Sequence, residues 1–139
     1  MDSKDKRKIV TGAFDAWSAG TGHVSSIFAE NMTWEIVGHS AASRRYDSAA
    51  EFIAEVLGPF GARFPADCPF RPVAIRQVVA EGDNVVVFWD GEGKTIMDAT
   101  YRNTHAWFMT LDDDGKVIEG YAFYDSISFN ELWETVIPK

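Results

Sequence analysis

At Val73 the hydrophobic rhythm of this 139-residue chain changes. Before it, apolar residues recur with a period of about 3.6, and after it with a period of about 2, the spacings of helix and strand. Because the two rhythms are segregated rather than interleaved, the chain reads as α+β: one curved antiparallel sheet with helices packed against one face.

In the first half, Val10, Ala13, Phe14 and Trp17 predict an amphipathic helix over 4–19, stopped by Gly20-Thr21-Gly22. A short second helix is expected over 23–29, carrying Val24, Ile27 and Phe28, followed by a strand over 32–37. Ser48-Ala49-Ala50-Glu51 has the form of a capping box. The helix it opens bears Phe52, Ile53, Val56, Leu57 and Phe60, and Gly58-Pro59 should bend or interrupt it. Residues 65–72 form a breaker-rich connection.

In the second half, strands are predicted over 73–80 and 85–89, joined by the hairpin signal Glu81-Gly82-Asp83-Asn84. A long strand over 95–111, the turn Asp112-Asp113-Asp114-Gly115 and a strand over 116–124 follow. Residues 128–136 fit either a closing helix or an extended tail. With no repeat, linker or low-complexity tract, the expectation is one domain over 1–139.

Composition narrows the function classes. A net charge of −8 repels nucleic-acid phosphates and anionic lipid. The basic cluster Lys4, Lys6, Arg7 and Lys8 reads as a solvated helical turn. Cys68 is the single cysteine, so neither an internal disulfide nor a thiolate cage can form. No apolar run approaches a membrane span, and the first eight residues are polar, so the expected location is the cytoplasm. Three scattered His without a paired spacing predict no metal site. Gly91-Glu92-Gly93-Lys94 sits between strands and has no helix to receive a phosphate. Five Trp and ten Phe supply more aromatic mass than a minimal core needs, enough to line a cavity.

Three segments carry a family likeness: Met32-Thr33-Trp34-Glu35-Ile36-Val37-Gly38, then Tyr101-Arg102-Asn103-Thr104-His105-Ala106-Trp107-Phe108, then Asp113-Asp114-Gly115-Lys116-Val117-Ile118-Glu119 running to Phe123-Tyr124-Asp125. In this order the chain resembles the polyketide cyclase-type, SnoaL-like members of the nuclear transport factor 2-like and ketosteroid isomerase-like superfamily. The resemblance implies a cone-shaped half-barrel with a pocket at one end, a homodimer formed through the outer sheet face, and no cofactor. It spans enzymes and binding proteins alike, so the fold alone does not assign a function.

Several residues are candidates for chemistry in such a pocket. Alternation puts Met97, Ala99, Tyr101, Asn103, His105 and Trp107 on one strand face, which is either a pocket wall or the wetter side of the sheet. The resemblance favours the wall. Asp125 shares parity with Tyr121 and Phe123; desolvated among aromatics, it would have a raised pKa and serve as the acid/base. The same Asp125-Ser126 also reads as a helix cap. His39 and His105 are candidate proton shuttles, whereas His23 reads as packed or solvent-exposed. Glu35 lies roughly where ketosteroid isomerases carry their base, though its parity opposes that of Trp34 and Ile36. Trp17, Trp34, Trp107 and Phe123, with His39 and Glu35, are the expected substrate contacts. The expectation is a cofactor-free acid/base enzyme, an isomerase, cyclase or lyase acting on a small hydrophobic molecule, with Asp125 moving the proton and Tyr101, Asn103 and His105 orienting an oxygen. The rivals are a binding protein without turnover and a structural dimer or accessory subunit.

Overall fold

Asp2 opens α1 (Ser3–Ala19) with a reciprocal cap: its carboxylate accepts the Asp5 N–H, and Asp5 accepts the Asp2 N–H. Gly20, at φ 77°, closes the helix in the left-handed conformation that glycine adopts without strain. The structure, a computed structural model, describes residues 1–138. The stripe Val10, Ala13, Phe14 and Trp17 is buried as predicted. Lys6 departs from the expected solvated turn. Its side chain is fully buried, and its ammonium donates to the Asp83 carboxylate and the Leu111 carbonyl, tying the start of α1 to two strand ends.

Residues 23–29, expected as a helix, contain only a 3-10 turn, Val24–Ile27, before β1 (Phe28–Ile36) begins. Phe28 pairs with Val117 in the sheet, and burying it there outweighs the local helical spacing. β2 (Arg45–Tyr46) folds back on β1. Ser48 caps α2 (Ala49–Phe52), accepting the Glu51 N–H at 3.0 Å, but the Glu51 carboxylate reaches the Asp47 N–H rather than that of Ser48. A π-helical turn, Ile53–Leu57, then leads into α3 (Gly58–Gly61). Gly58 donates to the carbonyl of Ile53, five residues back, immediately before Pro59, which has no N–H to donate. The predicted interruption thus takes the form of a widened turn.

The long strands are β3 (Arg71–Glu81), β4 (Asn84–Lys94), β5 (Thr100–Leu111) and β6 (Val117–Tyr124). The curved, unclosed sheet has the order β2-β1-β6-β5-β4-β3. All neighbours are antiparallel except β1 and β6, which run parallel. The strand expected from residue 95 starts only at Thr100, because β4 extends to Lys94 and pairs with it. Residues 95–99 are a turn held by the Thr95 hydroxyl, which accepts from the N–H groups of Met97 and Ala99. Met97 and Ala99 are therefore exposed outside the strand instead of sharing the face of Tyr101. The chain closes with α4 (Ser126–Thr135), the helical alternative for the tail. No described helix is long and apolar enough to cross a membrane.

Candidate binding site

Trp89 of β4, His105 of β5 and Tyr124 of β6 stand opposite one another across three strands. They form a row on the inner wall of a cavity of about 300 Å³. The His105 imidazole lies flat on the Trp89 indole, 4.0 Å between centroids and 8° between planes, and meets the Tyr124 ring edge-on at 5.6 Å. Trp17 from α1, Trp34 from β1, Phe52 from α2 and Phe129 from α4 supply further walls.

Glycines let the aromatics lie this close to the backbone. A Cβ on Gly120 would fall 2.2 Å from the Trp34 ring, so the bare backbone of β6 is what lets Trp34 stack on Phe52 at 5.0 Å. Gly91 does the same for Phe70, whose ring would be 2.1 Å from a Cβ there.

The cavity is nearly free of polar groups, and those it has are of two kinds. Tyr124 is satisfied: its hydroxyl bonds the Ser40 hydroxyl at 2.7 Å, which in turn bonds Ser43 at 2.8 Å. His105 is not. It is 7% exposed, and among the described residues neither ring nitrogen has a hydrogen-bond partner. The indole N–H groups of Trp34 and Trp89 are likewise unpartnered. Burial pushes the His105 pKa down to about 3, partly opposed by Asp90 behind the sheet, so the ring is neutral, with one donor and one acceptor nitrogen. His23 also lines the cavity, against Trp17 at 4.5 Å. Its Nδ1 accepts the Ser25 N–H, which leaves the proton of the neutral ring on Nε2, and burial lowers its pKa.

The predicted site residues divide. Trp17, Trp34, Trp107 and His105 line the cavity together. Tyr101 and Asn103 are buried beside it but committed elsewhere. Asn103 donates to the Tyr101 hydroxyl at 2.7 Å and clamps the backbone of Asp125 by two bonds of 3.0 Å. Burial pushes the Tyr101 phenol up to about 12. Asp125 departs from the expected desolvated carboxylate: it is exposed, caps α4, and accepts from the Ile127 N–H and the Ser128 hydroxyl at 2.6 Å. The Ser128 bond above all holds its pKa below the ordinary range, opposite to the predicted rise. Phe123 is 46% exposed on the outer face, because Gly120, Ala122 and Tyr124 are the inward residues of β6. Glu35 points outward by the same alternation, and His39 is exposed outside the cavity.

Sequence reasoning missed His23, Trp89 and Tyr124. Only the pairing of β4, β5 and β6 aligns Trp89 and Tyr124 with His105. A small-residue signal was available for Tyr124, since Gly120 and Ala122 of the same parity make room for Trp34 and the cavity.

A model of the SnoaL-like domain matches residues 10–120. The chain belongs to the SnoaL-like domain family. No curated protein matches it by sequence. Among solved structures, this SnoaL-like chain is similar to Bal32a from a soil-derived mobile gene cassette, with a TM-score of 0.74 and 18% identity over 94% of this chain and 98% of that one. A putative SnoaL-like polyketide cyclase from Jannaschia sp. CCS1 gives 0.71 and 21% over 96% and 94%. TerC, co-crystallised with polyporic acid, gives 0.70 and 20% over 94% and 98%. At these identities the structural likeness establishes the fold, and among the described residues no three His, Cys, Asp or Glu side chains gather as metal ligands.

Proposed function

We propose that this SnoaL-like chain binds a small, largely apolar organic molecule in the cone, without a cofactor, and that His105 is its principal polar contact. One observation carries the reading: a buried imidazole with both nitrogens unpartnered on the wall of a largely apolar cavity of about 300 Å³. An unsatisfied buried polar group costs roughly 1–3 kcal/mol, so a site that retains one is suited to a guest that completes it. The polyketide cyclase and polyporic acid relatives support a guest of this general kind.

A second reading, cofactor-free isomerase, cyclase or lyase chemistry, is favoured by a second imidazole, His23, on the same cavity. In that reading the proton passes through His105 or His23, since Asp125 lies outside the cone. An imidazole with its pKa near 3 polarises an oxygen better than it abstracts a proton at neutral pH. Binding is therefore the leading function.

The proposal retains the homodimer. Val79, Val86, Phe108 and Tyr121 follow one another across four strands of the outer face, with Phe123 against Phe108 at 5.9 Å. It also retains the cytoplasm, to which the exposed, unpaired Cys68 is suited.

The test is quenching of the tryptophan fluorescence of the cone by a panel of phenols, aromatic ketones and matched hydrocarbons, in water and in D₂O. Saturable quenching by members of the panel is expected, weakened at least about tenfold in Gly61→Leu. Gly61 lines the cone and has open space where a Cβ would stand, so a side chain can be added at the cavity wall without a clash at its Cβ. Quenching that Gly61→Leu leaves unchanged, or none by millimolar concentration, would overturn the proposal. Deuterium entering a bound ketone beside its carbonyl would turn the reading to catalysis.

A further inference from the structure

Among the described residues, no Asp, Glu, Lys or Arg lines the cone. Charged groups around it are directed elsewhere, among them Arg71, whose guanidinium lies beside Gly20 of the lining and donates to the Ser18 carbonyl. Asp125 is turned outward on its own helix cap, and Asp90 pairs with Arg76 on the outer face at 2.9 Å. The Arg63 guanidinium, which is not part of the lining, donates through its two terminal nitrogens to the carbonyls of Pro59 and Trp133, while its Nε is buried without a partner. An ion entering the cavity would lose its hydration and meet no charged side chain among the described lining residues. The cavity's own ionisable residues give the same result for both signs. Burial holds His105 and His23 unprotonated and raises the pKa of the Tyr124 phenol.

Size and hydrogen bonding narrow the guest further. At the packing density of protein interiors, about 0.75, a cavity of this volume holds a molecule of roughly 10 to 15 non-hydrogen atoms. That is one or two rings. On the lining, the Nε2–H of His23 calls for an acceptor oxygen on the guest.

We propose that the cone selects its guest by charge as well as shape: it takes an uncharged one- or two-ring molecule carrying a hydroxyl or carbonyl oxygen, and rejects carboxylates and ammonium ions of the same outline. This deepens the binding reading and rests on it. Rejection of the ammonium is the sharper half. The net charge of −8 would draw a cation towards the protein, so local desolvation must outweigh the field of the whole molecule.

Three probes of one shape test it on the full chain: 2-naphthol, 2-naphthoate and 2-naphthylmethylammonium, each titrated by fluorescence at neutral pH. Naphthol is expected to bind at least about a hundredfold more tightly than either ion. Between neutral pH and about pH 5, the apparent affinity of naphthoate should rise about tenfold per unit as the neutral acid becomes available, while that of naphthol stays constant. Either ion binding within about tenfold of naphthol, or a naphthoate affinity that ignores pH, would overturn charge selection and leave the binding site standing. If none of the three binds while another member of the panel does, the proposed ligand class is wrong. If nothing in the panel binds, the binding reading itself falls.

Discussion

Asp125 and His105 lie almost side by side, for Asp125 follows Tyr124, the residue that faces His105 across β5 and β6. Their situations are opposite. Both carboxylate oxygens of Asp125 are occupied, its backbone is clamped by Asn103, and it stands in water. Neither nitrogen of His105 is occupied, and it stands in an apolar wall. A polar group whose partners are all local is holding structure together. One buried without partners costs stability, and an external ligand is the natural means of recovering it. Residue type alone pointed to Asp125 as the chemical group; satisfaction of its hydrogen bonds points to His105.

Acid titration gives the largest expected contrast. The folded state depresses the His105 pKa to about 3, so the unfolded chain takes up the proton first as pH falls below about 6.5. The contribution is whole above that pH and is lost on descent, by up to about 1.4 kcal/mol per unit. Denaturant melts between pH 6.5 and 5, where the carboxylates stay mostly ionised, should show this slope in the wild type and a shallower one in His105→Phe. Equal slopes would remove the argument that burial keeps His105 neutral.

Next in size is recognition. His105→Phe keeps a ring on Trp89 and removes both nitrogens, so a phenolic guest should lose about tenfold in affinity while the matched hydrocarbon loses none. An equal loss for both guests would mean that His105 contributes shape and not a hydrogen bond.

The smallest effect belongs to Asp125. Asp125→Ala should cost about 1 kcal/mol through the lost cap of α4, and Asp125→Asn only part of that, since asparagine caps almost as well. Neither should change guest affinity. A fall in affinity or turnover without a change in stability would reinstate Asp125 as a functional carboxylate.

Much of the fold was legible because its signals are local. The stripe on α1, the Ser48 cap, the slip at Pro59 and the acidic turn at 112–115 each depend on residues within a few positions of one another. Trp17, Trp34, Trp107 and His105 were likewise found on the cavity wall. The misses needed partners distant in sequence. Lys6 is buried because Asp83 and Leu111 come to it, and residues 23–29 yield to a strand because Val117 lies beside Phe28.

The sequence by itself determined the α+β order, the strand alternation and the supply of aromatics for a cavity, since periodicity is a property of neighbouring residues. Alternation states which residues share a face but not which face is inside. That was decided by strand pairing and by the glycines at 91 and 120, where Phe70 and Trp34 come down on the sheet. Those contacts turn Ala122 and Tyr124 inward and send Phe123 out to solvent. The same tertiary packing leaves Asp125 on a helix end and His105 alone in an apolar wall, because desolvation and hydrogen-bond supply depend on what surrounds a side chain and not on the residues beside it in the chain.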